Sequence, residues 1–210
     1  STDGLTWTQV GGNMTDGIVV SGPGGDMANL EAACIFKAGD TYVLLFSAYA
    51  DSAGPLSGFP AALYAAVSND GLNYAVVGGG PVLAPTPGWY DNEAIYSPTV
   101  VAHSGGYLML YCGHAYVDAT AVGGDIGVRL LAATSTDGIT WTKHDAPLLR
   151  ADAGLTWMSD GVAEPSMVQG PDGKWYLFFT GLHGDERAIG IAVAADPLGP
   201  WDVEPQPIIT

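Results

Sequence analysis

The chain has 210 residues, with 22 acidic residues against 6 Lys plus Arg, for a formal charge of −16. That charge argues against nucleic-acid backbones and anionic membranes as partners, and fits neutral ligands, cations or an extracellular, marine or high-salt setting. No apolar run approaches the length that crosses a bilayer, so a soluble protein is expected, long enough for one domain with a substantial core.

The chain opens on Ser1-Thr2-Asp3-Gly4-Leu5-Thr6-Trp7, and that phrase returns as Ser135-Thr136-Asp137-Gly138-Ile139-Thr140-Trp141. Ser68-Asn69-Asp70-Gly71-Leu72-Asn73-Tyr74 is a third copy with an aromatic swap, and Asp196-Pro197 followed by Trp201 is a worn fourth. Ser1, Ser68 and Ser135 stand at equal steps of 67 residues, the mark of a repeat architecture. Asp-Gly is a tight-turn signal, because Gly supplies positive φ and the Asp side chain bonds nearby backbone N–H groups. These Asp residues are therefore expected to be structural. The first residue is Ser rather than Met, which fits a processed chain or a fragment.

Leu5 to Val10 and Gly17 to Val20 read as strand material, followed by a Gly-rich loop from Ser21 to Asp26. Three repeats of four short strands follow. The first comprises Glu31 to Phe36, Thr41 to Ala48, Phe59 to Val67 and Leu72 to Val77. The second comprises Tyr96 to Ala102, Tyr107 to Gly113, Gly127 to Thr134 and Thr140 to Lys143. The third gives Glu164 to Gln169, Lys174 to Thr180, Ala188 to Ala194 and Trp201 to Val203. Short strands rich in β-branched and aromatic residues, separated by turn residues, indicate an all-β antiparallel protein, and four strands per repeat is the blade of a β-propeller. The expectation is one propeller domain, with blades at about 26–85, 91–150 and 160–210 and an orphan outer strand and loop at 1–25. Cys34 and Cys112 sit inside apolar runs without metal-ligand spacing, so buried free thiols are expected rather than a disulfide.

The order Ser97-Pro98-Thr99-Val100, Gly106-Tyr107-Leu108-Met109-Leu110-Tyr111 and Ser135-Thr136-Asp137-Gly138 resembles the blades of the five-bladed β-propeller glycoside hydrolases, the arabinanase, β-xylosidase and invertase-like enzymes. So does Glu164-Pro165-Ser166-Met167 with Lys174-Trp175-Tyr176-Leu177-Phe178-Phe179. The resemblance covers about 26–210. It implies a protein that cleaves or binds a carbohydrate; the alternative is a non-catalytic carbohydrate-binding or structural propeller. Family members use five blades where three are counted here. A fragment, a ring shared between chains or an unusually small ring would account for the difference, and a homo-oligomer is expected.

In a four-stranded blade the loop after strand two and the entrance to the next strand one lie at the same end, and loops on a rigid scaffold are where function concentrates. That end collects Asp26, Glu31, Tyr49, Asp91, Glu93, Tyr96, His114, Tyr116, Asp160, Glu164, His183, Asp185 and Arg187. Glycoside hydrolysis needs one carboxyl to protonate the leaving oxygen and a second to activate water or attack. Glu164, directly before Pro165, is the first catalytic candidate, since the resemblance places an acid next to such a Pro in the active site. Glu31, two residues before Ala33, resembles the Glu-x-Pro of the family's general acid, and Glu93 and Asp91 complete the catalytic candidates. Tyr96, His114, His183 and Arg187 are candidate substrate contacts. Trp89 and Trp157 could stack on a sugar ring or pack between blades. The sequence departs from the family in lacking its Asp-Pro pair at the strand-one entrances, in carrying Tyr96-Ser97 where acids are expected and in having Ala33 for Pro. No zinc spacing is present, and no cofactor is expected beyond a Ca²⁺ reading of Asp91-Asn92-Glu93.

Overall fold

A computed structural model describes residues 2–8, 20, 27–50, 61–115, 127–152 and 154–210. Three antiparallel blades account for its strands. The first holds β1 (Asn29–Ala38), β2 (Thr41–Tyr49), β3 (Ala62–Ser68) and β4 (Ala75–Val76); the second holds β5 (Ala94–His103), β6 (Gly106–Ala115), β7 (Gly127–Ser135) and β8 (Thr142–Lys143). The third holds β9 (Gly161–Gln169), β10 (Trp175–His183), β11 (Glu186–Ala194) and β12 (Asp202–Val203). Within each blade the strands pair in chain order. A single parallel bridge, Val128 to Gly161, ties the third blade to the second.

Alternation along the strands packs the blades face to face. In β6, Leu108, Leu110 and Cys112 join the core shared with the third blade, while Met109 and Tyr111 join the core shared with the first. Leu130 and Ala132 against Leu131 and Ala133 divide β7 in the same way. The middle blade is thus buried on both faces, which is why its strands read as continuous apolar runs.

The repeated phrase folds as expected at its turn. The Asp70 carboxylate accepts the N–H groups of Leu72 and Asn73, both at 2.8 Å, and Asp137 accepts those of Ile139 at 2.8 Å and Thr140 at 2.7 Å. Ser68 and Ser135 each accept the N–H of the Gly, at 2.9 and 2.8 Å. These donors hold both carboxyls below the ordinary 3.8, Asp137 at about 2. The turn consumes the residues expected to begin strand four, so β4 and β8 shrink to two residues each. At the N-terminus the same turn forms around Asp3, and residues 2–8, expected to enter a strand at Leu5, contain none. Tyr74 and Trp141 are buried, whereas Trp7 is 75% exposed.

Candidate functional site

Strands β1, β5 and β9 carry the same backbone irregularity. The pairing slips between Glu31 and Cys34, between Tyr96 and Thr99, and opposite Phe178 and Thr180. At each slip one residue takes positive φ: Ala32 at 49°, Ser97 at 50° and Glu164 at 53°. These are β-bulges, which bend the strand and re-aim its side chains. They also correct a boundary: Glu164 and Tyr96, expected at strand entrances, lie inside strands that begin at Gly161 and Ala94.

The three blades meet around a cavity of about 510 Å³. Glu31 and Tyr49 reach it from the first blade, Tyr96 and His114 from the second, and Glu164, Thr180 and Arg187 from the third. Alanine, valine, leucine and isoleucine side chains supply the apolar wall. The Thr180 hydroxyl donates to Glu164 Oε2 at 2.8 Å, leaving the other carboxyl oxygen for a ligand. Tyr96 meets the His114 ring edge-on with centroids 6.5 Å apart. Burial pushes His114 down from its ordinary pKa; Glu93, whose Oε2 lies 3.8 Å from Nδ1, opposes this, and Arg129 adds to it. Arg187 is exposed and its Nη1 donates to the carbonyls of Gly184 at 3.0 Å and Glu186 at 2.7 Å, so backbone oxygens anchor it at the mouth. A second hollow of about 380 Å³ adjoins the cavity through Arg187, Ala188 and Thr210, and is completed by Trp157, His183 and Glu186.

Other candidates lie elsewhere. Asp91 is fully buried and accepts Lys143 Nζ at 2.5 Å, the Thr86 N–H at 3.0 Å and the Tyr111 hydroxyl at 3.2 Å. Lys143 also donates to the Ala84 carbonyl and Thr86 Oγ1, which stitches the connection between the first two blades onto β8. Burial lowers the Lys143 pKa against the pull of Asp91, and raises that of Tyr111. Asp91 is therefore outside the cavity, in a structural ion pair. Glu93 stands behind His114 and does not line the cavity. In the segment of the Ca²⁺ reading, Asp91 accepts the donors above, Asn92 Oδ1 accepts the Gly88 N–H at 2.7 Å, and Glu93 faces His114. Among the described residues no group of three or more metal-capable side chains forms.

Trp89 packs edge-on against Tyr90, 5.3 Å between centroids, away from the cavity. Trp157 lies over Gly181 and Gly190 and stacks on Phe179 at 5.7 Å, while its Nε1 donates to the Pro205 carbonyl at 3.1 Å. It packs between elements and lends one edge to the second hollow. His183 Nδ1 is 2.9 Å from Ser159 Oγ and 4.0 Å from Asp160, also at the second hollow. Asp185 lines neither space, and Asp26 and Tyr116 fall outside the described residues. Sequence reasoning missed Thr180, whose signal is its register: it pairs with Ala163, as Cys112 pairs with Tyr96 and Ser47 with Glu31.

No protein-family model matches the chain, and no curated protein is similar to it in sequence. Solved structures are similar in shape. Zg3597, a family 117 glycoside hydrolase from the marine bacterium Zobellia galactanivorans, superposes with a TM-score of 0.66 at 18% identity, over 89% of this chain and 60% of that one. The endo-arabinase of Bacteroides thetaiotaomicron gives 0.64 at 18% identity, over 87% and 63%. Fructan 1-exohydrolase IIa from Cichorium intybus gives 0.66 at 20%, over 88% and 33%. The fold is that of the β-propeller glycoside hydrolases. The chain spans about 60% of the length of the first two, and likeness at these identities establishes the fold alone.

Proposed function

We propose that the cavity binds a carbohydrate and cleaves a glycosidic bond, with Glu164 and Glu31 as the carboxyl pair. The observation that carries this reading is that two carboxyls from different blades line one cavity with Tyr49, Tyr96, His114 and Arg187. Glu31 protonates the leaving oxygen, and Glu164, oriented by Thr180, activates water or attacks the sugar carbon. Aromatic edges and a neutral imidazole suit hydroxyl-rich ligands, and the second hollow, edged by Trp157, receives a further sugar unit. The test is a panel of aryl glycosides with wild type, Glu164→Gln and Glu31→Gln. Undiminished turnover in both variants rejects the assignment.

A second reading, glycan binding without turnover, is favoured by Ala33 and by the absence of an Asp-Pro pair at the strand-one entrances. Glycan affinity with no hydrolysis of any panel member would establish it. Association between chains belongs to the same proposal, because the family resemblance implies five blades and the described residues form three. Light scattering reads this directly, and a monomer at every concentration and salt rejects it.

A further inference from the structure

We propose that Cys112 is a positioning residue for Glu164: its thiol sulfur accepts the Glu164 amide across the blade boundary and holds the bulge from which that carboxyl reaches the cavity. The proposal deepens the glycosidase reading and rests on it for its consequence in turnover.

Three positions are equivalent by register. Ser47 pairs with Glu31, Cys112 with Tyr96 and Thr180 with Ala163, each the last paired residue before its bulge. From the first two positions the side chain reaches the next blade, whereas Thr180 bonds Glu164 within its own blade. Ser97 N–H donates to Ser47 Oγ at 3.3 Å, and Glu164 N–H donates to Cys112 Sγ at 3.0 Å. Both donors are the positive-φ residues of their bulges. The bulge explains the need: its extra residue has no ladder partner, and an amide left without an acceptor at a packed boundary is costly. Positive φ in a residue other than Gly persists only where the surroundings hold it, and this bond comes from outside the strand.

Thr180 then takes the carboxyl end of Glu164, so the residue is gripped at backbone and side chain from two strands. The thiol itself is fully buried, and burial pushes its pKa up to about 12, which removes it as a nucleophile or redox group. Ser47 at the equivalent position shows that an oxygen can do the same work, which provides the rescue variant.

The experiment measures amide hydrogen exchange at Glu164, and kcat and KM on the aryl glycoside that the wild type cleaves, for Cys112→Ala and Cys112→Ser. Cys112→Ala is expected to speed exchange at Glu164 at least about tenfold, and to lower kcat by roughly tenfold to a hundredfold with KM little changed. Cys112→Ser restores slow exchange and brings kcat back to within a few-fold. Unchanged exchange in Cys112→Ala, or a serine variant as poor as the alanine one, overturns the proposal, as does fast exchange with an unaltered kcat. If the alanine variant does not fold, Ser47→Ala tests the same device one blade earlier. It should free the Ser97 amide and leave Glu164 protected, and protection of Ser97 in that variant counts against the proposal. A wild type without turnover strikes the glycosidase reading alone, since the exchange comparison still decides whether the clamp exists.

Discussion

The outer turns of the blades and their inner strands repeat in different ways. At the turns both sequence and geometry recur: Asp70 and Asp137 accept equivalent pairs of backbone N–H groups, and Asp3 accepts the same pair at the N-terminus. On the inner strands only the backbone recurs, with Ala32, Ser97 and Glu164 at matching bulges. The turn is made by its Asp side chain, so the residue recurs with the turn. The bulges at Ser97 and Glu164 are held by hydrogen bonds from the neighbouring blade, so their side chains are free to differ. A repeated phrase thus marks scaffold, and a repeated conformation with an unrepeated side chain marks the place where chemistry can be installed.

The largest expected effect lies on the inner strands. Glu164→Gln should lower turnover by roughly 10²–10⁴-fold with an unchanged melting temperature, whereas Asp137→Asn should leave turnover within a few-fold; equal losses in the two would break the contrast. Lys143→Met isolates the fully buried Asp91 and should cost about 3–5 kcal/mol in urea unfolding. A loss below about 1 kcal/mol would show that the ion pair between the first two blades is dispensable. Gly190→Ala places a methyl group in the space of the Trp157 indole, and about 1–3 kcal/mol of destabilisation is expected. Restoration of that loss by a smaller residue at 157 would identify the overlap as its cause.

The smallest effect is at the turn itself. Asp137 is exposed, and Asp137→Ala should cost about 1 kcal/mol or less at neutral pH, for two exposed backbone hydrogen bonds. The sign with pH follows from the depressed carboxyl: its contribution is present above pH 3.8 and is lost as pH falls through about 2. Acid unfolding curves of wild type and variant should converge over that window, and a constant gap down to pH 2 would mean that the turn does not depend on ionised Asp137.

Much of this protein was legible from local chemistry. The Asp-Gly turns, the strand order within each blade and the propeller class follow from residues a few positions apart, because a turn carboxyl finds its donors two and three residues away. The gathering of Glu31, Tyr96, His114, Glu164 and Arg187 at one cavity followed from the rule that places strand entrances and second loops at the same end. Asp91 and Trp157 escaped that rule. The Lys143 partner of Asp91 lies 52 residues away, and only docking of the blades brings it there. Trp157 turns inward because Gly181 and Gly190 leave a space the size of an indole on β10 and β11. The bulges, and the residues that hold them, were equally hidden. Sequence determined the blades and their turns because those interactions are short in chain separation; tertiary structure decided which acids stay open to a ligand, because that depends on what a neighbouring blade presents to each one.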